Sequence, residues 1–179
     1  VDEVIAALES ERKVMIEDVK DGGRFTKPKP AFTTDTMLQA AGSSLGWNVG
    51  KTMNVAGALY NDGKITYLRT DSTRTDPGAR NQARTFIESK WGTDHLGVAP
   101  GPGAGSAKDS NAQDAHEAIR PTNVELESVE DAEQNRLYTL IRARFLATQM
   151  SEAKYSNSSL SAKVKGFNRP LTSKVEWRV

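Results

Sequence analysis

The sequence predicts an α+β protein in which a mainly helical block interrupts a β-rich part supplied by both chain ends. Three observations predict it. Strand-like alternation occurs near the start, at residues 13–19, and again at 155–164 and 171–179. Between these lies a succession of capped, amphipathic helical patterns. Lys27-Pro28-Lys29-Pro30 separates the two regimes, and no helix can cross it. The expected division is therefore 1–29 with 151–179 for the β-rich part and 30–150 for the helical part.

Taken in order, residues 2–9 place Val4, Ile5 and Leu8 at helical spacing behind Asp2 and Glu3, predicting a short amphipathic helix. Val14, Ile16 and Val19 read as a strand that Asp21-Gly22-Gly23 breaks. Thr33 or Thr34 caps a helix carrying Met37, Leu38, Ala40 and Ala41 and ending in 42–45. Trp47 to Gly50 is a turn. A second helix over 51–60 faces Met53, Ala56, Leu59 and Tyr60 inward, and Asn61-Asp62-Gly63 closes it with a left-handed turn.

Ile65 to Thr70 then alternates apolar and polar over a β-branched, aromatic run, which predicts a strand with Tyr67, Arg69 and Asp71 on one side. Helix, turn, helix, strand is similar to a winged helix-turn-helix, and it fits a plain αα-hairpin with no DNA role as well. Thr75-Asp76-Pro77 caps a third helix over 78–90 with Ala83, Phe86 and Ile87 on one face. Residues 97–111 are Gly- and Pro-rich and predict a flexible loop. If 113–120 is helical, His116 and Arg120 share a face until Pro121 ends it. The longest helical pattern, 133–150, buries Leu137, Leu140, Ile141, Phe145 and Leu146 and leaves Arg136, Arg142 and Arg144 outside.

Composition narrows the chemistry. The absence of cysteine excludes disulfides and thiolate metal sites and fits a reducing compartment, and two histidines, His95 and His116, exclude a His-rich metal centre. No apolar run approaches the roughly 18 residues of a membrane span. The net charge is +1, but residues 1–21 carry seven acids against three bases and 109–136 eight against two. Residues 22–90 hold ten bases against five acids, an asymmetry that suits a phosphate-bearing partner and equally describes a solvated surface. The chain starts at Val1 and stops at Val179 within a strand-like run, so a piece of a longer protein is expected.

Within the basic stretch, Tyr67 beside Arg69 is the chemically loaded pair. Tyr carries an oxygen nucleophile that is weak at its usual pKa of about 10, and Arg offers a planar fork for phosphate oxygens. The same two residues also describe a half-buried strand aromatic and a solvated edge charge. His116 near Arg120 suits phosphate contact or proton transfer, or a surface or capping role.

Two separated blocks carry a resemblance. ITYLRTDSTR at 65–74 resembles the active-site tyrosine motif of the type IA DNA topoisomerases, and DAHEAIRPT at 114–122 is similar to that family's second signature. The stretch from Phe32 to Ser72 and QMSEAKY at 149–155 agree with it too. The resemblance implies a CAP-like, winged-helix-like domain III inserted into a discontinuous β-arch domain II. It implies that Tyr67 attacks a DNA phosphodiester and holds the strand as a 5′-phosphotyrosyl ester. Arg69 would stabilise charge on the scissile phosphate, His116 would support phosphate binding and the proton network, and Arg120 would be a second phosphate or structural contact. Asp71 would orient Arg69, and Thr66, Ser72 and Arg74 would be further DNA contacts.

The family's acidic metal cluster, with its Mg2+, belongs to a separate Toprim domain, and no Asp-x-Asp-x-Glu pattern occurs in this sequence. No cofactor is therefore expected in these residues. The expected partners are a single-stranded DNA segment and the parent's other domains, with no membrane, in the nucleoid-associated cytoplasm. The isolated chain is expected to be inactive. The competing readings are a non-catalytic single-stranded DNA-binding module in which Tyr67 stacks a base, and an interaction domain with a merely solvated basic surface.

Overall fold

The computed structural model describes residues 3, 5, 6, 9, 15–98, 116–163 and 171–178. The expected loop over 99–111, the residues 113–115 and the Gly166 turn lie outside the described residues. Of the expected first helix, Glu3, Ile5, Ala6 and Glu9 are helical. The chain divides into two compact units, Val1–Lys27 with Glu152–Val179, and Pro28–Ser151.

The first unit carries a three-stranded antiparallel sheet in the order β1 (Met15–Thr26), β2 (Ala153–Lys163), β3 (Leu171–Arg178). β1 and β2 pair from Met15 opposite Lys163 to Thr26 opposite Ala153, with a bulge between Ile16 and Asp18. Contrary to the sequence expectation, Gly22 and Gly23 do not break β1. Gly22 sits opposite Asn157, whose Oδ1 would lie 2.9 Å from an added Cβ, so the glycine leaves room for a cross-strand side chain. Arg24 adds a forked ion pair across the sheet to Glu176, at 2.7 and 3.0 Å, and lies 4.4 Å over the Tyr155 ring. The hydrogen bond from Arg24 holds the Glu176 carboxyl below its usual range.

The second unit is helical. α1 (Thr34–Leu45) opens on Thr33 with a capping box shared with Thr36 and closes on Gly46 in the left-handed region. α2 (Val49–Asn61) opens on the Asn48 side chain. α3 (Pro77–Trp91) opens on Asp76, with Pro77 in its first turn. A short 3-10 turn, Thr93–His95, follows, and α4 (Ala132–Ala147) opens on Asp131. The main core joins Met37 and Ala41 of α1, Ala56 and Leu59 of α2, and Leu137 and Ile141 of α4. A smaller core packs Ala83 and Ile87 of α3 against Phe145 and Leu146 of α4.

Three expectations are corrected here. Tyr60 does not face inward; it is 41% exposed at the end of α2. Arg142 and Arg144 are half-buried rather than outside, because their stems carry the guanidinium over Phe86 at 4.9 Å and over Phe32 at 4.3 Å. Burial lowers the Arg144 pKa from its ordinary value. The strand expected over 65–70 is also absent: only Ile65 makes an isolated bridge, to Pro121.

Candidate active site

Residues 64–72 form an extended arm that leaves α2 through Gly63, whose φ of 65° suits a residue without Cβ. Lys64 N donates to Leu59 O at 2.8 Å and Gly63 N to Tyr60 O at 2.9 Å, so the last turn of α2 fixes where the arm begins. Burial alternates along it from Tyr67 onward. Ile65, Leu68, Thr70 and Ser72 are buried, while Tyr67, Arg69 and Asp71 are exposed. Ile65 and Leu68 enter the main core, and each buried side chain contributes about 1.5–3 kcal/mol toward holding the arm down.

Threonine hydroxyls replace the missing strand ladder. Thr34, first residue of α1, donates through Oγ1 to Leu68 O at 2.8 Å and accepts from Thr70 N at 2.9 Å. Its own N donates to Thr70 O at 2.9 Å. Thr66 Oγ1 donates to Ala118 O at 2.7 Å and accepts from Arg120 N at 3.0 Å, while Thr66 N donates to Arg120 O at 2.9 Å. Tyr67 therefore sits between one clamp to α1 and another to residues 118–120.

The described residues 116–120 are not helical. Ile119 N donates to Phe32 O at 2.8 Å and Ala118 N to Arg74 O at 2.7 Å, which holds the segment extended beside the arm. Pro121 pushes Arg120 out of the helical region, and the backbone groups of 118–120 are taken up by Arg74, Phe32 and Thr66 instead of by a helix. His116 and Arg120 accordingly do not share a helical face. His116 is exposed and lines a surface pocket of about 280 Å³ with Tyr60, Thr66, Tyr67, Thr70 and Glu117. Tyr67 is 45% exposed, and its ring meets the Tyr60 ring edge-on, with centroids 5.3 Å apart and planes at 67°.

Arg120 does not line the pocket, although its partner Glu117 does. Its Nε and Nη2 donate to Glu117 Oε1 and Oε2 at 2.6 and 2.9 Å, and its Nη1 to Pro121 O at 3.0 Å. Glu117 Oε1 also accepts from Asp76 N at 2.5 Å, which ties the N-terminus of α3 to the same carboxylate. Arg69 and Asp71 share the exposed side of the arm, but no ion pair joins them among the described residues. Ser72 is buried; its Oγ accepts from Arg74 N at 3.2 Å and shapes the turn into α3. Arg74 is exposed.

The structure thus brings Tyr67, His116 and Thr66 to one pocket and spends the Arg120 guanidinium on the scaffold. The residues that sequence reasoning missed are Thr34, Glu117 and Tyr60. Glu117 carried a signal, an acid three residues before an Arg. Thr34 carried none, because its role is tertiary. Among the described residues, no group of three or more His, Cys, Asp or Glu is placed to hold a metal ion. No helix among them is long and apolar enough to cross a membrane.

A family model described as DNA topoisomerase matches residues 1–177. The chain belongs to the DNA topoisomerase family. Its membership is of the bacterial type IA kind, whose members are isomerases. DNA topoisomerase 1 of Haemophilus influenzae is 43% identical over 151 residues, which are 82% of this chain and 17% of that protein. DNA topoisomerase 1 of Escherichia coli is 41% identical over 161 residues, 88% of this chain and 18% of that protein. The structure of full-length topoisomerase I from Thermotoga maritima superimposes with a TM-score of 0.76 at 31% identity, covering all of this chain and 30% of that one. The chain thus spans less than a third of the topoisomerases it matches.

Proposed function

We propose that this chain is the nucleophile-bearing part of a type IA topoisomerase that relaxes negatively supercoiled DNA. The single observation that carries the reading is Tyr67, exposed at a pocket shared with His116 while its backbone is clamped on both sides. In this reading the helical unit is the CAP-like domain III, and the sheet from both chain ends belongs to the β-arch domain II.

The chemistry of this reading is the one the family resemblance implies, and the exposure of Tyr67 supports it. The Tyr67 oxygen attacks phosphorus in line, its proton leaves, and the 3′ oxygen departs and takes up a proton. The strand is then held as a 5′-phosphotyrosyl ester. Arg69, on the same exposed side of the arm, faces the non-bridging oxygens as charge develops. His116 contacts phosphate and serves the proton network. Thr66 acts through the backbone of 118–120, and Arg120 through Glu117, so both position rather than contact. Asp71 lies beside Arg69 on the exposed side of the arm, and Arg74, exposed just past the arm, offers a further phosphate contact. Bond energy kept in the ester lets the 3′ hydroxyl reverse the reaction without ATP.

Mg2+, bound by the Toprim domain of the full-length protein, supplies charge at the phosphate when present. The isolated chain is inactive in this reading. DNA, as a single-stranded segment, and the Toprim domain are its partners, in the cytoplasm with the nucleoid.

The test is Tyr67→Phe in the full-length protein. The expected result is complete loss of covalent DNA adduct with DNA binding retained. Undiminished relaxation removes Tyr67 as the nucleophile and favours the binding-module reading. A DNA affinity that does not fall with salt argues against phosphate contact altogether.

A further inference from the structure

We propose that Tyr60 is a positioning residue for the Tyr67 side chain, an edge-on aromatic stop that holds the phenol in its attacking orientation. The inference rests on the reading of Tyr67 as nucleophile and adds a residue to it.

The two threonine clamps fix the backbone on either side of Tyr67 but leave its χ angles untouched. Among the described residues the Tyr67 hydroxyl makes no hydrogen bond, and nearly half of the residue is open to solvent. A ring so placed rotates between staggered wells in picoseconds to nanoseconds unless a neighbour restricts it. The neighbour is Tyr60, with ring centroids 5.3 Å apart and planes at 67°, the edge-to-face arrangement that aromatic quadrupoles favour.

The Tyr60 backbone is well fixed. It is in α2 one residue after fully buried Leu59, and its carbonyl accepts from Gly63 N at 2.9 Å at the turn that launches the arm. Its helical phase would allow an inward ring, yet it lies exposed on the rim of the Tyr67 and His116 pocket. A large aromatic held at a pocket rim against an otherwise unrestrained nucleophile preorganises it, and preorganisation acts on the cleavage rate rather than on affinity.

The experiment compares Tyr60→Leu and Tyr60→Phe in the full-length protein, using single-turnover adduct formation on a saturating single-stranded oligonucleotide and Kd for the same oligonucleotide. Tyr60→Leu is expected to slow cleavage about two- to ten-fold with Kd changed less than two-fold, the range an edge-on aromatic pair supports. Tyr60→Phe keeps the ring and is expected to cleave at close to the unsubstituted rate. Unchanged cleavage in the Leu variant overturns the proposal, and so does an equal loss in rate and affinity, which marks a structural role. A Phe variant as slow as the Leu variant also overturns it, since the hydroxyl and not the ring would then matter. Tyr67→Phe run alongside reports on the nucleophile itself, because adduct formed there refutes that assignment whatever Tyr60 does.

Discussion

Replacing Thr66 by Val tests whether a hydroxyl holds the arm where a strand ladder was expected. Val keeps the branched shape and favours extended backbone, so neither packing nor propensity confounds the change. What disappears is the donor to Ala118 O and the acceptor for Arg120 N. Ala118 is fully buried, so its carbonyl finds no water in exchange, and an orphaned buried group costs about 1–3 kcal/mol. Arg120 is half-buried and its N–H recovers part of the loss from solvent. The sum is about 2–3 kcal/mol. For a unit of this size 1 kcal/mol moves Tm by roughly 3–5 °C, giving an expected fall of about 6–15 °C. Thermal unfolding followed by far-UV circular dichroism measures it, with Thr66→Ser, which keeps the hydroxyl, expected to lose less than about 1 kcal/mol. A Val variant within about 0.5 kcal/mol of the unsubstituted chain would show that the ladder-substitute argument is wrong.

Other expectations follow from the same contacts. Glu117→Gln leaves the Arg120 guanidinium uncompensated; with side chains 13% and 28% exposed, about 2 kcal/mol is lost rather than the larger cost of a fully buried pair, and a urea midpoint that does not move contradicts this. Tyr138 Oη donates to Leu126 O at 2.8 Å and Asn123 O at 3.0 Å, so Tyr138→Phe costs about 1 kcal/mol at neutral pH. Burial raises the Tyr138 pKa, so its contribution is complete below its unfolded value of about 10 and is lost as pH rises beyond that. The Phe variant should therefore show a flatter alkaline limb in a plot of Tm against pH, and parallel limbs would count against a buried phenol. Arg69→Ala in the full-length protein is expected to slow cleavage more than it weakens oligonucleotide binding; equal losses would deny it a transition-state role.

Helices are legible where caps and periodicity agree locally: Thr33 and Asp76 each precede an apolar repeat, and each accepts a hydrogen bond in the first turn. Asn48 does the same inside the stretch expected to be a turn, so the second helix begins at Val49 rather than at 51. The arm was legible in period but not in partner. Alternation places Tyr67, Arg69 and Asp71 outward from Tyr67 to Ser72, but buried Ile65 breaks the same period, and alternation is equally satisfied by a strand ladder or by scattered threonines and core contacts. Gly22-Gly23 misled because the reason for them, Asn157, lies some 135 residues away across the sheet. Arg142 and Arg144 misled because a long stem reaches an aromatic face that helical phase does not reveal. The pocket shared by Tyr67 and His116 could be anticipated only through motif resemblance, since its two walls are separated by almost fifty residues.

The pairing of Thr26 with Ala153 at the end of the first ladder carries a kinetic consequence. Until the helices form, joining those neighbours means closing a floppy chain of roughly 125 residues, an entropic cost of about 4 kcal/mol. Once Pro28–Ser151 has folded, most of that loop is no longer flexible and the entropic cost of the pairing falls. Folding of the helical unit first is therefore the cheaper order, and a lesion that delays it is expected to leave β1 unpaired for longer, with its hydrogen-bonding groups open to other chains.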